Sequence, residues 1–446
     1  MRTRRLVVLV AALSALLLLI SPLGPATGQV LPAPPPLAIS DNVKVLGNVP
    51  GSLFGMHFKG NYGYATGATG LTVFDLSEAA NPKVVGELPL PHFENEDVDA
   101  CGNVLVIASD AVNPAAPLYV IDISNPSLPT LLAEYNLGLE GTGNGAGHIA
   151  NFVTEDCSLL WVDGGSRVEV VDLSDPASPE SLGDFESEAS KSDFNVTHDT
   201  ERDSKGVIWS VGGGGAAGYR LTSDPLKPKL VAKTGAEASN PSELNDFILH
   251  NSLRRGDTLL VTEEDYIDTD EDQPGSCNGQ GKFETYRIQM AKGKVTNLDT
   301  WETELNGTLT GGAEDSKAPL TVNCSSHWFD QQAGIVAVGW YEQGTRFLDT
   351  TNPSRIRQVG YYIPANGSTW AAYWAPTDKT GTIAYALDAY RGLDVLQIGK
   401  GGLDSPTQRA PIPQQWYATG TGIGGYVPSK KFGYLCPIPT RKLLGP

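Results

Sequence analysis

The sequence predicts an all-β protein, a seven-bladed β-propeller of four-stranded antiparallel blades, and the first observation behind this prediction is a repeat. A motif recurs at a spacing of roughly 50 residues, which is typical of repeat architectures. Its copies are LTVFDLSEAANPKVVGEL from Leu71, LYVIDISNPSLPTLLAEYNL from Leu118, VEVVDLSDPASPESLGDF from Val168, GYRLTSDPLKPKLVAKT from Gly218 and TRFLDTTNPSRIRQVGYY from Thr345. Each copy has a β-branched or aromatic run, a turn rich in Asp, Ser and Pro, and a second run, which predicts two strands joined by a turn.

The second observation is that two more short apolar runs precede each motif, such as LFGMHF from Leu53 and YGYAT from Tyr62. Four strands per repeat indicate a propeller blade. This inner pair can be placed seven times, beginning near Leu53, Val98, His148, Val196, Phe247, His327 and Trp370. The blades then span approximately residues 52–90, 96–138, 147–186, 194–235, 246–303, 323–364 and 369–398.

The third observation concerns the ends of the repeat region. The last repeat stops after Leu393 to Ile398 without an outer strand, while NVKVLGNV, from Asn42 to Val49, matches the outer-strand run NPKVVGEL. The N-terminal strand is therefore predicted to complete the last blade. Such pairing would remove the open edge that a stack of sheets otherwise exposes.

The segments outside the repeats predict export. Residues 1–28 combine Arg2, Arg4 and Arg5, an apolar run from Leu6 to Ile20 and a small-residue cleavage site, which indicates a signal peptide. A membrane anchor is the alternative, although the apolar run is short for a span of about 20 residues. Residues 29–41 form a Pro-rich spacer, residues 42–399 the propeller and residues 400–446 an irregular C-terminal tail. The predicted location is secreted or extracytoplasmic, in the cell envelope or outside the cell.

The charge of the chain restricts its partners. Removing three arginines with the signal peptide would change the formal net charge from −19 to −22. Such a surface repels nucleic acid and anionic membranes, so we expect no nucleic-acid partner and no membrane insertion after signal removal. It suits cations or a basic partner, although solubility outside the cell is the simpler explanation.

Five cysteines in an exported chain indicate disulfides with one thiol left over. Cys101 and Cys157 fall in corresponding inner turns of adjacent blades, so we predict that they pair. Cys277 is predicted to pair with Cys324, which leaves Cys436 in the tail. Other pairings remain open at this stage.

The long acidic loops of the predicted propeller lie on one face, which is where we expect binding. They are Pro89 to Asp97, Leu137 to Gly147, Glu186 to Asp193, Gly235 to Asp246 and Gly307 to Pro319. The fifth blade adds an acidic, Gly-rich insertion from Glu263 to Lys282. Carboxylates at short intervals suit calcium, although a solvated insertion is the alternative.

Five of the six histidines are predicted to share one register of the inner strands: His57, His148, His198, His250 and His327. Aligning the Gly-Asn turns of the first two blades places Asp99 at the same register. Neutral imidazole is the commonest side-chain ligand for transition metals, so these six residues are the predicted metal site in the central channel. The alternative is that each His only fills the channel. Axial His rings carry iron in carotenoid-oxygenase propellers, which this chain resembles in that feature alone.

The runs LTVFD, LYVID, VEVVD and TRFLD, each followed by Ser or Thr, resemble the LVIVD-repeat family of exported bacterial β-propeller proteins. The resemblance covers roughly Asn42 to Gly399 and departs where Arg220, Arg287 and Gln397 replace the motif Asp. It implies the propeller fold and export, and it brings no settled activity.

These observations favour a ligand- or protein-binding scaffold that acts through its acidic loop face. The alternative is a metal-dependent enzyme, an oxidase or a hydrolase, that uses the His cluster in the channel. A third hypothesis is a structural envelope protein held by partner contacts alone.

Overall fold

The computed structural model describes residues 28–90, 97–109, 117–141, 147–192, 195–238, 247–265, 281–303 and 325–399. Almost all regular structure in these ranges is β strand. The exceptions are one short helix, α1 (Leu137–Glu140), and three single turns of 3-10 helix at Glu188–Ser190, Ala236–Ala238 and Met290–Lys292. The all-β prediction is confirmed. Within the described residues no helix has the length and apolar character needed to cross a membrane.

The strands form consecutive antiparallel groups of four. After β1 (Ala38–Ile39) and β2 (Val43–Val49), group 1 consists of β3 (Leu53–Lys59), β4 (Tyr62–Gly67), β5 (Gly70–Asp75) and β6 (Lys83–Pro89). Group 2 consists of β7 (Asp99–Cys101), β8 (Val104–Ala108), β9 (Pro117–Asp122) and β10 (Thr130–Asn136). Group 3 consists of β11 (Ile149–Phe152), β12 (Leu159–Asp163), β13 (Val168–Asp172) and β14 (Glu180–Phe185).

The second half of the chain continues the pattern. Group 4 consists of β15 (Thr197–Arg202), β16 (Ile208–Gly212), β17 (Gly215–Arg220) and β18 (Lys229–Lys233). Group 5 consists of β19 (Phe247–Arg255), β20 (Thr258–Asp265), β21 (Phe283–Gln289) and β22 (Lys294–Trp301). Group 6 consists of β23 (Trp328–Gln332), β24 (Ile335–Gly339), β25 (Thr345–Asp349) and β26 (Arg357–Ile363). The last strands are β27 (Thr369–Trp374), β28 (Ile383–Asp388) and β29 (Gly392–Ile398).

Short parallel contacts join some groups, so that hydrogen bonding divides the described strands into five sheets. Groups 4 and 5 share an eight-stranded sheet through the single pair Lys233 and Lys294. Group 6 and the last strands share a nine-stranded sheet through β23 and β27. The other three groups are separate four-stranded sheets.

The N-terminal strand β2 pairs with β29 as predicted. The antiparallel register runs from Val43 opposite Ile398 to Val49 opposite Leu393. The strands β27, β28, β29 and β2 therefore form group 7, which takes its outer strand from the other end of the chain. Asn48 fixes this pairing because its side-chain amide donates to Asp394 Oδ1 at 2.9 Å.

The Pro-rich spacer is part of the sheet at two points. Leu31 exchanges backbone hydrogen bonds with Asn48 at 2.7 and 2.8 Å. Strand β1 then pairs with the outer strand of group 6, with Ala38 opposite Ile363. The segment thus covers outer strands that would otherwise expose unpaired backbone groups.

The recurrent Asp of the repeat motif closes the turn between the third and fourth strands. Its carboxylate accepts the backbone N–H two residues later, which is the geometry of an Asx turn. This bond is 2.8 Å from Ser77 to Asp75, Ser124 to Asp122 and Ser174 to Asp172, and 2.9 Å from Thr351 to Asp349. This hydrogen bond explains why Asp recurs at the same position of the repeat motif.

The predicted disulfide between Cys101 and Cys157 is confirmed, with the two Cα atoms 5.5 Å apart. Cys101 ends β7 and Cys157 follows β11, so the bond joins groups 2 and 3. The predicted pair Cys277 and Cys324, the thiol of Cys436, residues 1–27 of the predicted signal peptide and the tail from residue 400 lie outside the described residues.

Candidate metal centre

Four histidines stand at the beginning of the first strand in four successive groups. His148 and His327 directly precede β11 and β23, whereas His198 and His250 lie inside β15 and β19. All four side chains are at most 1% exposed. First strands of neighbouring groups contact one another, which brings these positions together in the space that we call the central channel.

The four imidazoles form a continuous stack. Ring centroids are 4.7 Å apart between His148 and His198, 4.0 Å between His198 and His250, and 4.1 Å between His250 and His327. The Nε2 atoms of His148 and His198 are 3.0 Å apart. This separation suits a hydrogen bond, and it is also close to the spacing of two nitrogens on one ion at about 2.0–2.1 Å from each.

Backbone carbonyls determine where two of the rings carry their protons. His198 Nδ1 lies 2.9 Å from the carbonyl oxygen of His250, and His327 Nδ1 lies 2.7 Å from that of Trp370. Because a carbonyl oxygen only accepts, the proton of each neutral ring is on Nδ1 and Nε2 carries a lone pair. Such a second hydrogen bond is how metal-binding histidines are usually oriented.

Glu264 supplies a carboxylate to the stack from the neighbouring strand β20. Its Oε2 lies 3.7 Å from His250 Nε2 and its Oε1 lies 3.8 Å from His327 Nε2. The hydroxyl of Tyr341 donates to Glu264 Oε1, and the Glu264 side chain is 3% exposed. Carboxylate oxygens and imidazole nitrogens thus converge in a buried space. A cation bound between Glu264 and the two imidazoles would offset the cost of burying the carboxylate.

Three of these residues have donor atoms close enough to share one ion. One ligand atom from each of His198, His250 and Glu264 lies within 4.8 Å of the other two. Two imidazoles and a carboxylate form a donor set that suits zinc, iron, copper or manganese. His148 and His327 stand on either side as further nitrogen donors.

Aromatic side chains surround the stack. Trp328 lies 5.0 Å from the His250 ring, and Trp370 lies 5.1 Å from the His327 ring, measured between centroids. Phe54 of group 1 packs on Trp370 at 4.5 Å. These rings exclude water, which strengthens electrostatic interactions at the centre.

The structure corrects the predicted common register for His57 and Asp99. His57 pairs across the sheet with Tyr64, well before the end of β4, whereas the His148 backbone bonds to Asp163 at the end of β12. The turn-based alignment assumed inner strands of equal length. In fact Gly60 follows His57 by three positions, whereas Gly206 follows His198 by eight.

His57 and Asp99 pair with each other instead. His57 Nδ1 lies 3.3 Å from Asp99 Oδ1, and the backbone N–H of Phe152 donates to Asp99 Oδ2 at 2.8 Å. Burial lowers the pKa of His57, but the hydrogen bond and charge of Asp99 outweigh it and raise this pKa. Burial raises the pKa of Asp99, but His57 and two backbone N–H groups outweigh it and lower this pKa. The described residues show no hydrogen bond, ion pair or ring contact from this pair to the four stacked imidazoles.

Sequence reasoning missed Glu264 and Tyr341 as members of the site. A signal for Glu264 was present, because two acidic residues, Glu263 and Glu264, directly follow the run LLVT of the second strand. Tyr341 stands in an aromatic cluster with Trp340 and Trp370, which the sequence attributes to packing between blades or to the mouth of the channel. Its backbone has a φ of 42°, a left-handed conformation that is rare for a bulky residue and is often found at functional sites.

The fold is similar to that of a solved β-propeller domain. The Cps50 (Swd1) β-propeller domain of Myceliophteria thermophila has a TM-score of 0.50 and 11% identity, and the match covers 80% of this chain and 99% of that one. The N-terminal domain of Nup159 has a TM-score of 0.45 and 11% identity, with 83% and 98% covered. No curated protein sequence is significantly similar to the chain.

The fold and the site define a β-propeller protein with a buried imidazole and carboxylate cluster. The sequence profile of the LVIVD repeat matches residues 51–88 and 96–137, which correspond to groups 1 and 2. These two segments are therefore matches to the LVIVD repeat, as the motif resemblance predicted.

Proposed function

We propose that this protein is an exported, closed, seven-bladed β-propeller that binds a transition metal ion in its central channel through His198, His250 and Glu264. The observation that supports the metal site is the convergence of three buried ligand atoms within 4.8 Å of one another. His148 and His327 complete the set of nitrogen donors, and Tyr341 orients the carboxylate.

The contacts between groups support a closed ring of seven blades. First strands touch in the order β3, β7, β11, β15, β19, β23, β27 and then β3 again. At the join, the Tyr385 hydroxyl donates to the Ala79 carbonyl at 2.9 Å, and Thr377 donates to the Leu76 carbonyl. Each of the seven groups is then one blade.

The closing strand gives a direct test of the ring. Asn48 is buried and donates to Asp394 Oδ1 at 2.9 Å and to the Arg391 carbonyl at 3.0 Å. Because Asn48→Ala would remove these two buried hydrogen bonds, we expect a loss of about 1–3 kcal/mol in the free energy of unfolding. Urea denaturation measures this loss, and Lys44→Ala, an exposed change on the same strand, should stay within about 0.5 kcal/mol. Equal stability of the two variants would contradict closure by this strand.

A metal ion explains the stack better than packing alone does. His198 and His327 both direct Nε2 lone pairs away from the carbonyls that bind their Nδ1 protons. A carboxylate oxygen of Glu264 faces His327 Nε2 at 3.8 Å. Packing requires only shape, whereas these orientations are those of ligands.

A bound ion would supply Lewis-acid or redox chemistry, which is the basis of the hypothesis of an oxidase or hydrolase. The residues of the chain would hold the ion, keep His198 and His327 in one tautomer and exclude water through Trp328 and Trp370. Glu264 would contribute negative charge, and its hydrogen bond from Tyr341 would fix its rotamer.

The metal content of the purified protein tests this proposal. Protein made without an affinity tag should contain about one transition metal ion per chain, measured by plasma mass spectrometry. His198→Ala with His250→Ala should abolish this content, because two of the three ligands are lost. Tyr341→Phe should weaken metal affinity by about 10–100-fold, as expected for a residue that orients a ligand.

His57→Ala is the matched control, because it removes an imidazole outside the stack and should leave the metal content unchanged. Wild-type protein that remains metal-free after incubation with zinc, iron, copper and manganese would contradict the proposal. Retention of the metal in the double variant would show that the ion binds at a different site in the protein.

Export and the acidic face belong to the same proposal. The apolar run from Leu6 to Ile20 supports export, and the net charge of −19 supports a cationic ligand or basic protein partner. Parts of the long acidic loops and most of the insertion from Glu263 to Lys282, with its suggested calcium site, lie outside the described residues. The loop from Glu186 is described up to Ser192, and its Glu188 pairs with Lys191 and Lys233.

A further inference from the structure

An apolar layer lies next to the imidazole stack in the central channel. Its main members, Ile149 and Trp328, are the first residues of β11 and β23. Ile149 is 0% exposed and Trp328 is 5% exposed. The centroid of the Trp328 ring lies 5.0 Å from that of His250, 6.2 Å from that of His327 and 6.4 Å from that of His198. One indole therefore stands beside three of the four imidazoles.

The layer extends across the channel from one side to the other. Ile149 and Trp328 belong to one buried apolar cluster, although they come from groups 3 and 6. The other buried members, such as Met56 and Ala371, come from groups 1 and 7, and no described residue of groups 2, 4 or 5 takes part. In a ring of seven, the neighbours of group 3 are groups 2 and 4. Ile149 therefore reaches the cluster across the channel.

Two aromatic contacts align the inner strands of groups 1 and 7. Phe54 packs on Trp370 with 4.5 Å between centroids, and Phe58 packs on Tyr373 with 5.9 Å. Positions along β3 and β27 can therefore be compared directly. His57 precedes Phe58 and thus lies near the level of Tyr373.

Trp328 lies between the imidazoles and that level. It pairs with Ala371, which follows Trp370, and the Trp370 ring lies 5.1 Å from that of His327. The side chain of His57 is 30% exposed, whereas the four stacked histidines are at most 1% exposed. Solvent thus reaches the level of His57, and the stack beyond Trp328 is shielded from it.

We propose that Trp328 and Ile149 form an apolar gate across the central channel, which separates the imidazole centre from the solvent-exposed level of His57 and sets the rate at which ions and ligands exchange with the centre. This inference rests on the ring and the metal centre proposed above. Species larger than a gap between packed side chains pass only when the structure opens locally. A bound ion would therefore exchange slowly, and a substrate of the centre would be a small molecule.

Chemical modification of histidine tests the gate without requiring a bound metal. Full-length protein is freed of metal with a chelator and treated with diethyl pyrocarbonate, and the modified residues are located by mass spectrometry. His57 should react, because its side chain is 30% exposed, and it is the internal reference. The four stacked histidines should react at least about tenfold more slowly, because the reagent reaches them only after local opening.

Replacement of the gate residues should remove this protection. Trp328→Ala should raise the modification rate of His250 at least about tenfold, because the cavity left by the indole adjoins polar groups and admits water. Trp328→Phe keeps an aromatic ring and should retain most of the protection. Ile149→Ala should act in the same direction with a smaller effect, and it remains informative if Trp328→Ala does not fold.

Trp161→Ala is the matched control for these variants. Trp161 is 0% exposed and lies in β12, the second strand of group 3, where it packs on Phe185 of the outer strand. Its replacement removes the same buried side chain away from the apolar layer. The stacked histidines should therefore stay protected in this variant.

Metal exchange separates the gate from the metal centre itself. In zinc-loaded protein, a chelator should remove the ion at least about tenfold faster from Trp328→Ala than from the wild type, because all proposed ligands are retained and only the barrier is lost. A wild type that binds no metal but protects its stacked histidines would contradict the metal centre and support the gate.

Three results would overturn the gate. The first is modification of the stacked histidines in the wild type as fast as that of His57. The second is protection that is unchanged in both Trp328→Ala and Ile149→Ala. The third is an equal loss of protection in Trp161→Ala, which would show that any large cavity loosens the structure.

Discussion

Arg254→Ala is expected to lower the free energy of unfolding by about 3–5 kcal/mol, because it would leave a buried carboxylate without its cation. Arg254 in β19 donates to Asp203 Oδ2 at 2.6 Å and thereby ties group 5 to group 4. The two side chains are 5% and 6% exposed. Asp203 also accepts from the indole of Trp209 at 3.0 Å. Denaturation in urea at pH 7 measures the loss.

Arg202→Ala is the matched control for this prediction. Arg202 also connects two groups, through Glu155 at 2.7 Å, but Glu155 is 83% exposed. Exposed ion pairs contribute about 0–1 kcal/mol, so this variant should remain close to the wild type. Similar losses in both variants would show that Arg254 acts through general packing rather than through its buried charge.

The Asp203 pair also predicts a dependence on pH. Burial raises the pKa of Asp203, but backbone N–H groups, Trp209 and Arg254 outweigh it and hold this pKa below its ordinary value of 3.8. The stabilisation is therefore complete above the unfolded-state pKa and is lost as the pH falls through the folded-state pKa. The difference between wild type and Arg254→Ala should shrink as the pH is lowered from 7 towards 3.

Replacement of Cys101 and Cys157 together by serine is the second large effect, with an expected loss of about 4 kcal/mol. The bond closes a loop between residues 56 positions apart, and such a crosslink mainly restricts the unfolded chain. The loss should be visible in urea denaturation under oxidising conditions. Because groups 2 and 3 also pack on each other through a shared buried apolar cluster, the variant should still fold.

Reduction of the wild type is the control for the disulfide. With a thiol reductant present during unfolding, wild type and the double serine variant should have nearly equal stability. A variant that loses less than about 1 kcal/mol would contradict the crosslinking role, because the loop-closure argument predicts several times more.

The repeat architecture could be predicted because its causes are local. Runs of alternating β-branched and aromatic residues predict strands. The turns are marked by an Asp whose carboxylate accepts the backbone N–H two residues later, as at Asp75, Asp122, Asp172 and Asp349. The pairing of Val43–Val49 with Gly392–Ile398 was predictable because one repeat lacked a strand and the N-terminus had a spare one. The position of Cys101 and Cys157 in equivalent turns predicted their bond.

The sequence by itself determined the strands, the turns, the joining of the chain ends and the four histidines of successive repeats. Only the tertiary structure decided that His57 and Asp99 form a separate pair, because inner strands of unequal length shift their residues along the channel. It alone brought Glu264 and Tyr341 to the imidazoles. These residues come from neighbouring strands and groups, and the distance between side chains on different strands depends on register and packing that no local pattern records.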